Sequence, residues 1–402
     1  MEFKLNRAWV EINLDNIIHN VRKIREVTDK NTKIMAVVKA DAYGHGVKEV
    51  AQAILETKFI DRFAVSMLDE AIELRKLGIK VPILILGYTD PRRSEEIVRF
   101  GITQSIFEQE LALSISNAAV KLNKIAKVHV KVDTGMSRIG FLPGYRAVKE
   151  LKQILTLKNI IIEGMFTHFS SADEETRDFT NEQFEYFISL NNELNRIGIH
   201  IPILHAANSA AIICYPNTHL NMVRAGLILY GMYPSEIVRK QSKIDIKPAM
   251  TFKANIIQIK AVPPGTGISY NRTYVTDKET IIATLSVGYA DGLTRNLSNK
   301  GQVLVAGQKA DIIGRICMDQ CMIDITNIKG EVNVGDEVAI YGSQGENSIG
   351  IDDVARKAGQ INYELCCIVG RRIPRVYIKN SEIYKVVNYL NIEKIVPGST
   401  LG

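Results

Sequence analysis

Short apolar runs alternate with segments of helical periodicity along the first part of the chain. The runs are continuous rather than alternating, which is typical of parallel strands buried on both faces. The segments between them carry apolar residues on one side of a helix and polar residues on the other. Eight such runs occur before about residue 240: Lys33–Ala40, Phe63–Ser66, Val81–Gly87, Ile102–Phe107, Val128–Asp133, Ile160–Thr167, Ile203–Ala206 and Met222–Tyr230.

The intervening segments predict helices. Leu14–Glu26, Val47–Glu56 and Leu68–Leu77 have the required periodicity. Thr180-Asn181-Glu182-Gln183 matches a capping box and predicts the start of a helix that ends near Arg196. Eight strand–helix units within residues 1–240 predict a (β/α)₈ TIM barrel. An open doubly wound sheet is the alternative, but it would more often show a glycine-rich nucleotide fingerprint, which this chain lacks.

After about residue 240 the pattern changes to β-rich runs separated by Gly and Asp. We predict a mainly β domain over residues 241–390, which residues 1–12 could join as a further strand. Residues 391–402 are predicted to form a tail. The β-rich runs are Met250–Val262, Thr280–Val287, Gln302–Val305, Met322–Ile325, Glu337–Tyr341 and Arg375–Ile378.

Composition narrows the classes of function. A chain of 402 residues with 46% hydrophobic and 23% charged residues is in the globular range and long enough for several cores. The net charge of +6 is spread along the chain, so we expect a small anionic substrate rather than nucleic acid. No run of about eighteen apolar residues predicts a membrane span.

Cysteine usage predicts a cytoplasmic protein. Five cysteines, an odd number, and an N-terminus without a signal-peptide core favour reduced thiols. Cys317 and Cys321 lie in a predicted strand with no second pair and no nearby histidine, so we expect buried small hydrophobes and no metal site.

Lys39 is the first candidate for chemistry. In (β/α)₈ barrels the active site lies at the carboxyl ends of the strands, and Lys39 directly follows Ala36-Val37-Val38. Desolvation there would lower the pKa of the amine, as a Schiff-base nucleophile requires. From its position alone, a lysine that reaches from the strand end into solvent is the favoured interpretation.

Eight segments along the chain carry recognisable combinations of residues. They are Val37-Val38-Lys39-Ala40-Asp41-Ala42-Tyr43-Gly44-His45-Gly46, Val132-Asp133-Thr134-Gly135-Met136-Ser137-Arg138-Ile139-Gly140, Thr167-His168-Phe169, Asn208-Ser209-Ala210, Val223-Arg224-Ala225-Gly226, Gly267-Ile268-Ser269-Tyr270, Val287-Gly288-Tyr289-Ala290-Asp291-Gly292 and Arg315-Ile316-Cys317-Met318-Asp319-Gln320. Together and in this order, these segments resemble those of bacterial alanine racemases, pyridoxal phosphate enzymes of fold type III. The resemblance covers nearly the whole chain and implies a barrel followed by a β domain, assembled as a head-to-tail homodimer.

The resemblance implies that Lys39 binds pyridoxal phosphate as an aldimine and that Tyr270 comes from the partner subunit to the opposite face. Two opposed groups are the simple way to remove a proton from one face and return one to the other. It places Arg224 at the pyridine nitrogen and His168 beside it. The remaining cofactor-binding positions that it implies are Tyr43, Asn208, Ser209, Gly226, Leu227 and Tyr363. Ser209 is expected to open a helix whose N-terminal amides favour an anion.

For the substrate, the resemblance implies that Arg138 binds the carboxylate, with Met318 and Tyr289 nearby. In many members of that family the lysine at the position of Lys131 is carbamylated and holds the arginine in place, so carbamylation of Lys131 is a hypothesis for this chain. The expected function is interconversion of L-alanine and D-alanine, an isomerase reaction that supplies D-alanine for peptidoglycan. A broad-specificity or serine racemase is the first alternative, and a fold type III amino-acid decarboxylase is the second. A barrel-only protein that binds pyridoxal phosphate without catalysis is disfavoured by the β domain.

Overall fold

The computed structural model describes residues 7–390. The predicted tail at residues 391–402 lies outside them. The strands are β1 Ala8–Asn13, β2 Lys33–Val37, β3 Arg62–Val65, β4 Ile83–Ile85, β5 Thr103–Ile106, β6 Ala126–Lys131, β7 Ile160–Phe166, β8 Ile203–His205, β9 Met222–Ala225, β10 Met250–Val262, β11 Gly267–Ile268, β12 Tyr274–Val275, β13 Thr280–Leu285, β14 Gln302–Val305, β15 Gln308–Ile313, β16 Cys321–Asp324, β17 Glu337–Gln344, β18 Asn347–Ile349, β19 Arg375–Lys379 and β20 Glu382–Val387.

The helices surround these strands or connect them. They are α1 Leu14–Glu26, α2 Val47–Glu56, α3 Leu68–Lys76, α4 Ser94–Arg99, α5 Gln109–Lys121, α6 Tyr145–Leu155, α7 Asp178–Arg196, α8 Ser209–Cys214, α9 Glu236–Gln241, α10 Ile351–Ala358 and α11 Asn362–Cys367. Within residues 7–390, no helix is long and apolar enough to cross a membrane.

The chain divides into two compact units. The barrel unit comprises residues 17–42 and 47–247. The strand unit comprises, among the described residues, residues 7–16, 43–46 and 248–390.

The barrel unit is built on eight parallel strands in the order β8-β7-β6-β5-β4-β3-β2-β9. Its two edge strands approach each other, since the backbone N–H of Asn221 donates to the carbonyl of Leu204 at 3.2 Å and that of Arg224 donates to Ala207 at 3.0 Å. The predicted (β/α)₈ barrel is therefore confirmed, and each of the eight apolar runs overlaps one strand. The strand in the last run is shorter than predicted: β9 ends at Ala225, and a 3₁₀ helix at Leu227–Tyr230 follows it.

The strand unit contains a ten-stranded sheet in the order β18-β17-β14-β15-β16-β13-β10-β1-β19-β20, with a further pairing of β17 and β10. Strand β1 pairs antiparallel with β10 and parallel with β19, so the opening residues are part of this sheet. The mainly β C-terminal domain is confirmed. The short helices α10 and α11 were not predicted from the sequence.

Two local predictions are wrong. Helix α7 begins at Asp178, so Thr180 lies inside its first turn and is not a cap. The Gln183 side chain is buried and bonds instead to Thr134, His168 and Ser170, which removes it from the predicted capping box. Cys321 is buried at the start of β16, but Cys317 lies in the preceding loop, because pairing with β13 begins only at Cys321.

Candidate active site

Lys39 lies two residues beyond β2 and is followed by a left-handed turn. The four non-glycine residues from Ala40 to Tyr43 have φ of 53° to 54°, a conformation that costs roughly 1–2 kcal/mol per residue. Hydrogen bonds offset this cost: the N–H of Ala40 donates to Oε1 of Glu70 at 2.6 Å, and that of Val47 donates to Oδ1 of Asp41 at 2.7 Å. The backbone after Lys39 is thus held in one conformation at the carboxyl end of the strand.

Arg224 on β9 is 3% exposed and donates to neutral acceptors. Its Nη1 donates to Nδ1 of His205 at 3.0 Å and to the His205 carbonyl at 2.9 Å. Its Nη2 donates to the carbonyls of Thr167 and Ala206 at 2.7 and 2.8 Å, and it lies 3.3 Å from Nδ1 of His168. Among the described residues, no acceptor meets its Nε–H. Burial lowers the pKa of Arg224 to about 9.

Positive side chains converge on His168. Burial, and then the charges of Arg224, Lys131, Arg138 and Lys39, hold the pKa of His168 well below its ordinary value. Burial, with the charges of Arg224 and Arg138, also lowers the pKa of Lys131 to about 7, against the opposing effect of Asp133. This end of the barrel therefore favours anions such as a phosphate or a carboxylate.

Arg138 lies on a loop that is fixed by one carboxylate. Asp133 accepts hydrogen bonds from the backbone N–H groups of Gly135, Ser137 and Arg138, each at 3.0 Å. The Arg138 side chain itself is exposed. Asp133 thus fixes the backbone of the loop next to the barrel, and the loop carries an exposed guanidinium.

The predicted phosphate ligands of the barrel unit lie together. Ser209 Oγ accepts a hydrogen bond from the N–H of Gly226 at 3.1 Å, and Leu227 follows directly. Asn208, not Ser209, caps helix α8, since its Oδ1 accepts from the N–H of Ala211 at 3.0 Å. The Ser209 hydroxyl is therefore not consumed by capping.

Tyr43 and Tyr363 both belong to the strand unit, with ring centroids 6.5 Å apart. Burial, with smaller effects from Tyr363 and Cys367, raises the pKa of Tyr43, so this phenol stays protonated. A protonated phenol can donate a hydrogen bond to a phosphate oxygen.

Tyr270, Tyr289 and Met318 lie on three loops of the strand unit that are hydrogen-bonded to one another. Ser269 Oγ donates to the carbonyl of Arg315 at 2.6 Å, and the N–H of Tyr289 donates to that of Cys317 at 3.0 Å. The side chains of Tyr270, Tyr289 and Met318 are 65%, 43% and 51% exposed. The three loops form one continuous exposed surface, which we call the loop surface.

Comparison with known proteins agrees with this geometry. Family models described as alanine racemase, N-terminal domain and alanine racemase, C-terminal domain match residues 12–234 and 249–377. An alanine racemase of Clostridium novyi is 46% identical over 96% of this chain and 99% of its own. The chain belongs to the alanine racemase family.

Solved structures of alanine racemases agree with this membership. That of Clostridium difficile has a TM-score of 0.91 and 43% identity over 96% of this chain and 99% of its own. A complex of the Clostridium difficile enzyme with cycloserine has a TM-score of 0.89. A histidine racemase of Leuconostoc mesenteroides is also similar, with a TM-score of 0.84 and 30% identity over 93% of this chain and 99% of its own.

Alanine racemases depend on pyridoxal phosphate, and the residues present fit that group. Arginine only donates hydrogen bonds, so the Nε–H of Arg224 requires an acceptor, which an unprotonated pyridine nitrogen supplies. The surrounding cations suit a phosphate and a carboxylate, and Lys39 carries an amine, the group that a Schiff base with the cofactor would need.

Sequence reasoning missed the residues behind Arg224. His205 contacts it directly, and the Phe166 ring stacks on His205 with centroids 4.7 Å apart and an interplanar angle of 5°. His129 lies behind His205, with Nδ1 at 2.8 Å from Nε2 of His205. The spacing of His129 and Lys131 on one strand was the available signal, because residues two apart share a face.

Proposed function

We propose that this member of the alanine racemase family interconverts L-alanine and D-alanine with pyridoxal phosphate, using Lys39 and Tyr270 as the two proton-transferring groups. The observation that carries the proposal is the buried, donor-only Arg224 in a cluster of cations at the strand ends where Lys39 lies. When bound, the cofactor's conjugated ring delocalises the negative charge that remains after the α-proton departs.

Inversion at the α-carbon assigns separate tasks to the two groups. One base removes the proton from one face, and a second group returns a proton to the other. We assign the D-alanine face to the Lys39 amine and the L-alanine face to the Tyr270 phenol. Both groups have side-chain protons that exchange with water, so solvent hydrogen enters at the α-carbon.

Arg224 directs the reaction towards racemisation. Because a guanidinium stays protonated and only donates, it leaves the ring nitrogen without a proton of its own. In this way Arg224 would weaken the electron withdrawal that a bound cofactor supplies, which would disfavour transamination. A decarboxylase of this fold type would place an acidic residue here.

We assign the other residues by the groups they can bind. Ser209, Gly226, Leu227, Tyr43 and Tyr363 bind the phosphate, with Asn208 and His168 beside the cofactor. Arg138 binds the substrate carboxylate through its planar donor fork. Tyr363, Tyr270 and Met318 narrow the substrate site around a methyl side chain, and Tyr289 lies near the substrate carboxylate.

A second copy of the chain is proposed to complete each site. The loop surface holds Tyr270, Tyr289 and Met318 with their side chains exposed, although each is apolar over most of its area. In a homodimer the loop surface of one chain covers the barrel end of the other, which buries these side chains and brings the two bases to opposite faces of one substrate.

Mixing two inactive variants tests this sharing. Lys39→Ala chains and Tyr270→Phe chains are each expected to be inactive alone, because every site lacks one base. In a random mixture, half of the dimers are hybrids with one intact site, so we expect about a quarter of wild-type activity to return. The measurement is racemisation after dissociation and reassociation of equal amounts.

A matched control uses two substitutions in the barrel unit. A mixture of Lys39→Ala and Arg224→Ala chains should stay inactive. Both residues belong to the barrel unit, so each of the two sites in a hybrid dimer lacks either Lys39 or Arg224. If the Lys39→Ala and Tyr270→Phe mixture also stays inactive while hybrids form, Tyr270 serves its own chain and the shared site is wrong.

Carbamylation of Lys131 is a further expectation. The Lys131 amine donates to the carbonyl of Val132 at 3.0 Å and lies 5.3 Å from the centroid of the Phe166 ring. With its pKa lowered to about 7, the amine is largely neutral above that pH. Its lone pair can then attack carbon dioxide, forming an N–C bond and releasing a proton to solvent. The resulting carbamate anion would be stabilised by Arg138 and Arg224.

The carbamate should give one ¹³C resonance in protein equilibrated with ¹³C-bicarbonate. Because the pKa of Lys131 is depressed, the reactive neutral amine is lost as the pH falls through about 7, and the resonance should weaken there. The Lys131→Ala variant should lack it. An unbranched ammonium at Lys131 in a high-resolution map of the wild-type protein would contradict carbamylation.

Two finer statements rest on the same family membership. D-Alanine for peptidoglycan is the proposed product, and the cytoplasm, where the five cysteines stay reduced, is the proposed location. Serine is the alternative substrate with a specific argument, since an apolar pocket rejects one added hydroxyl only weakly.

A further inference from the structure

A chain of buried polar side chains runs through the barrel unit from Arg224 to Glu163. Arg224 Nη1 lies 3.0 Å from Nδ1 of His205, and Nε2 of His205 lies 2.8 Å from Nδ1 of His129. Nε2 of His129 faces Oε2 of Glu163 at 3.4 Å. Both imidazoles are fully buried.

The two ends of this chain allow only one arrangement of its protons. Arg224 only donates, so Nδ1 of His205 accepts and the proton of His205 is on Nε2. That proton is donated to Nδ1 of His129, which leaves the proton of His129 on Nε2, facing a carboxylate. Burial lowers the pKa of both histidines, so both are neutral. Every donor therefore points from Arg224 towards Glu163.

The charges at the two ends are complementary. No carboxylate contacts Arg224 within residues 7–390, and a buried cation without a counter-charge is costly. The Glu163 side chain is 13% exposed. Its carboxylate accepts hydrogen bonds from Nη1 of Arg62 at 2.6 Å and from Nζ of Lys127 at 2.8 Å. Burial alone would raise the pKa of Glu163, but its bonds from His129, Arg62 and Lys127 lower it, so it stays ionised.

Packing fixes the path between the ends. Gly164 lies beside the His129 ring, and a Cβ added there would come within 2.5 Å of it, so only glycine leaves room for the imidazole. The Phe166 ring lies against His205 and also has the Arg224 guanidinium carbon at 5.4 Å from its centroid. The Gly164 backbone beside His129 and the Phe166 ring beside His205 therefore restrict both imidazoles, which favours aligned hydrogen bonds.

We propose that Glu163 is a remote positioning residue for Arg224, acting as its counter-charge through the neutral His129–His205 pair. The polarised imidazoles make Nδ1 of His205 a stronger acceptor, which holds the guanidinium in the orientation that leaves Nε–H for the cofactor. The consequence for catalysis rests on the proposed role of Arg224, whereas the proton arrangement does not.

Nitrogen resonances of the histidines test the proton arrangement directly. The chain has seven histidines, all of which are labelled when the cofactor-loaded protein is prepared with ¹⁵N-histidine. The resonances that disappear in the His205→Asn and His129→Asn variants are assigned to His205 and His129. We expect both to be neutral, with the proton on Nε2 and none on Nδ1. A proton on Nδ1 of His205 in the wild-type protein would overturn the proposal.

Glu163→Gln tests transmission along the pair, since it removes the charge and keeps the shape. It should shift the Nδ1 resonance of His205, a residue it does not touch, and lower kcat about fivefold with little change in KM. Glu26→Gln, which removes the charge of a surface ion pair with Lys23, should change neither.

A double-mutant cycle separates this route from a general structural effect. In a His129→Asn background the pair is interrupted, so Glu163→Gln should then lower kcat by less than about twofold. An equal loss in both backgrounds, or an unmoved His205 resonance, would show that Glu163 does not act through the histidines. The histidine resonances report the protons of His129 and His205 directly. They therefore test the positioning role of Glu163 even if alanine is not the substrate.

Discussion

Replacing Lys39 with alanine is expected to abolish the visible absorbance of the cofactor-loaded protein and to lower kcat on the order of 10⁴-fold. The amine is the only group assigned both to bond the cofactor and to move the proton on one face. The left-handed turn that follows Lys39 is held by hydrogen bonds to the side chains of Glu70 and Asp41, which the substitution retains, so the variant should fold. Absorbance of the purified protein and racemisation of alanine are the two measurements.

Lys48→Ala provides the matched control, since Lys48 is an exposed lysine on α2 a short distance along the chain. It should retain both the absorbance and the activity. If Lys39→Ala kept a normal absorbance band together with substantial activity, another lysine would hold the cofactor and the site assignment would have to be abandoned.

Tyr270→Phe is expected to lower racemisation by roughly 10²- to 10⁴-fold, the usual contribution of one acid–base group. The loss should be one-sided when proton exchange is followed instead of racemisation. Lys39 can still remove and return the α-proton of D-alanine, so D-alanine should exchange that proton with deuterated water. L-Alanine should exchange far more slowly, because the base on its face is gone.

Proton exchange at the α-carbon, followed by NMR for each enantiomer separately, provides the measurement. Tyr384→Phe, an exposed tyrosine on β20, should exchange both enantiomers at wild-type rates. Equal residual exchange of the two enantiomers in Tyr270→Phe would contradict two opposed bases that each serve one face.

The barrel was predictable because its strands are buried on both faces. Such strands appear in the sequence as continuous apolar runs, and all eight runs overlap a strand of the barrel. The ends of the strands were not predicted as closely. The first run was predicted to extend to Ala40, but β2 ends at Val37. Apolar character alone cannot locate this end, since Ala40 and Ala42 adopt a left-handed conformation that is fixed by Glu70 and Asp41.

The positions of the site residues at strand ends followed from the barrel, but their interactions did not. The sequence places Arg224 at the end of β9, yet nothing local indicates that His205, on a different strand, accepts its hydrogen bond. Similarly, Gln183 matches a capping box by spacing, but a buried network binds its side chain instead. Such contacts join residues distant in sequence, and pattern reasoning weighs only near neighbours.

Incubating the cofactor-loaded protein with L-alanine in deuterated water tests the central claim most directly. Optical activity and deuterium at the α-carbon would be followed together, with L-serine in a parallel sample. The account predicts racemic alanine that carries α-deuterium, formed faster than the corresponding serine product. Release of an amine and carbon dioxide, or unchanged L-alanine beside a normal absorbance band, would contradict it.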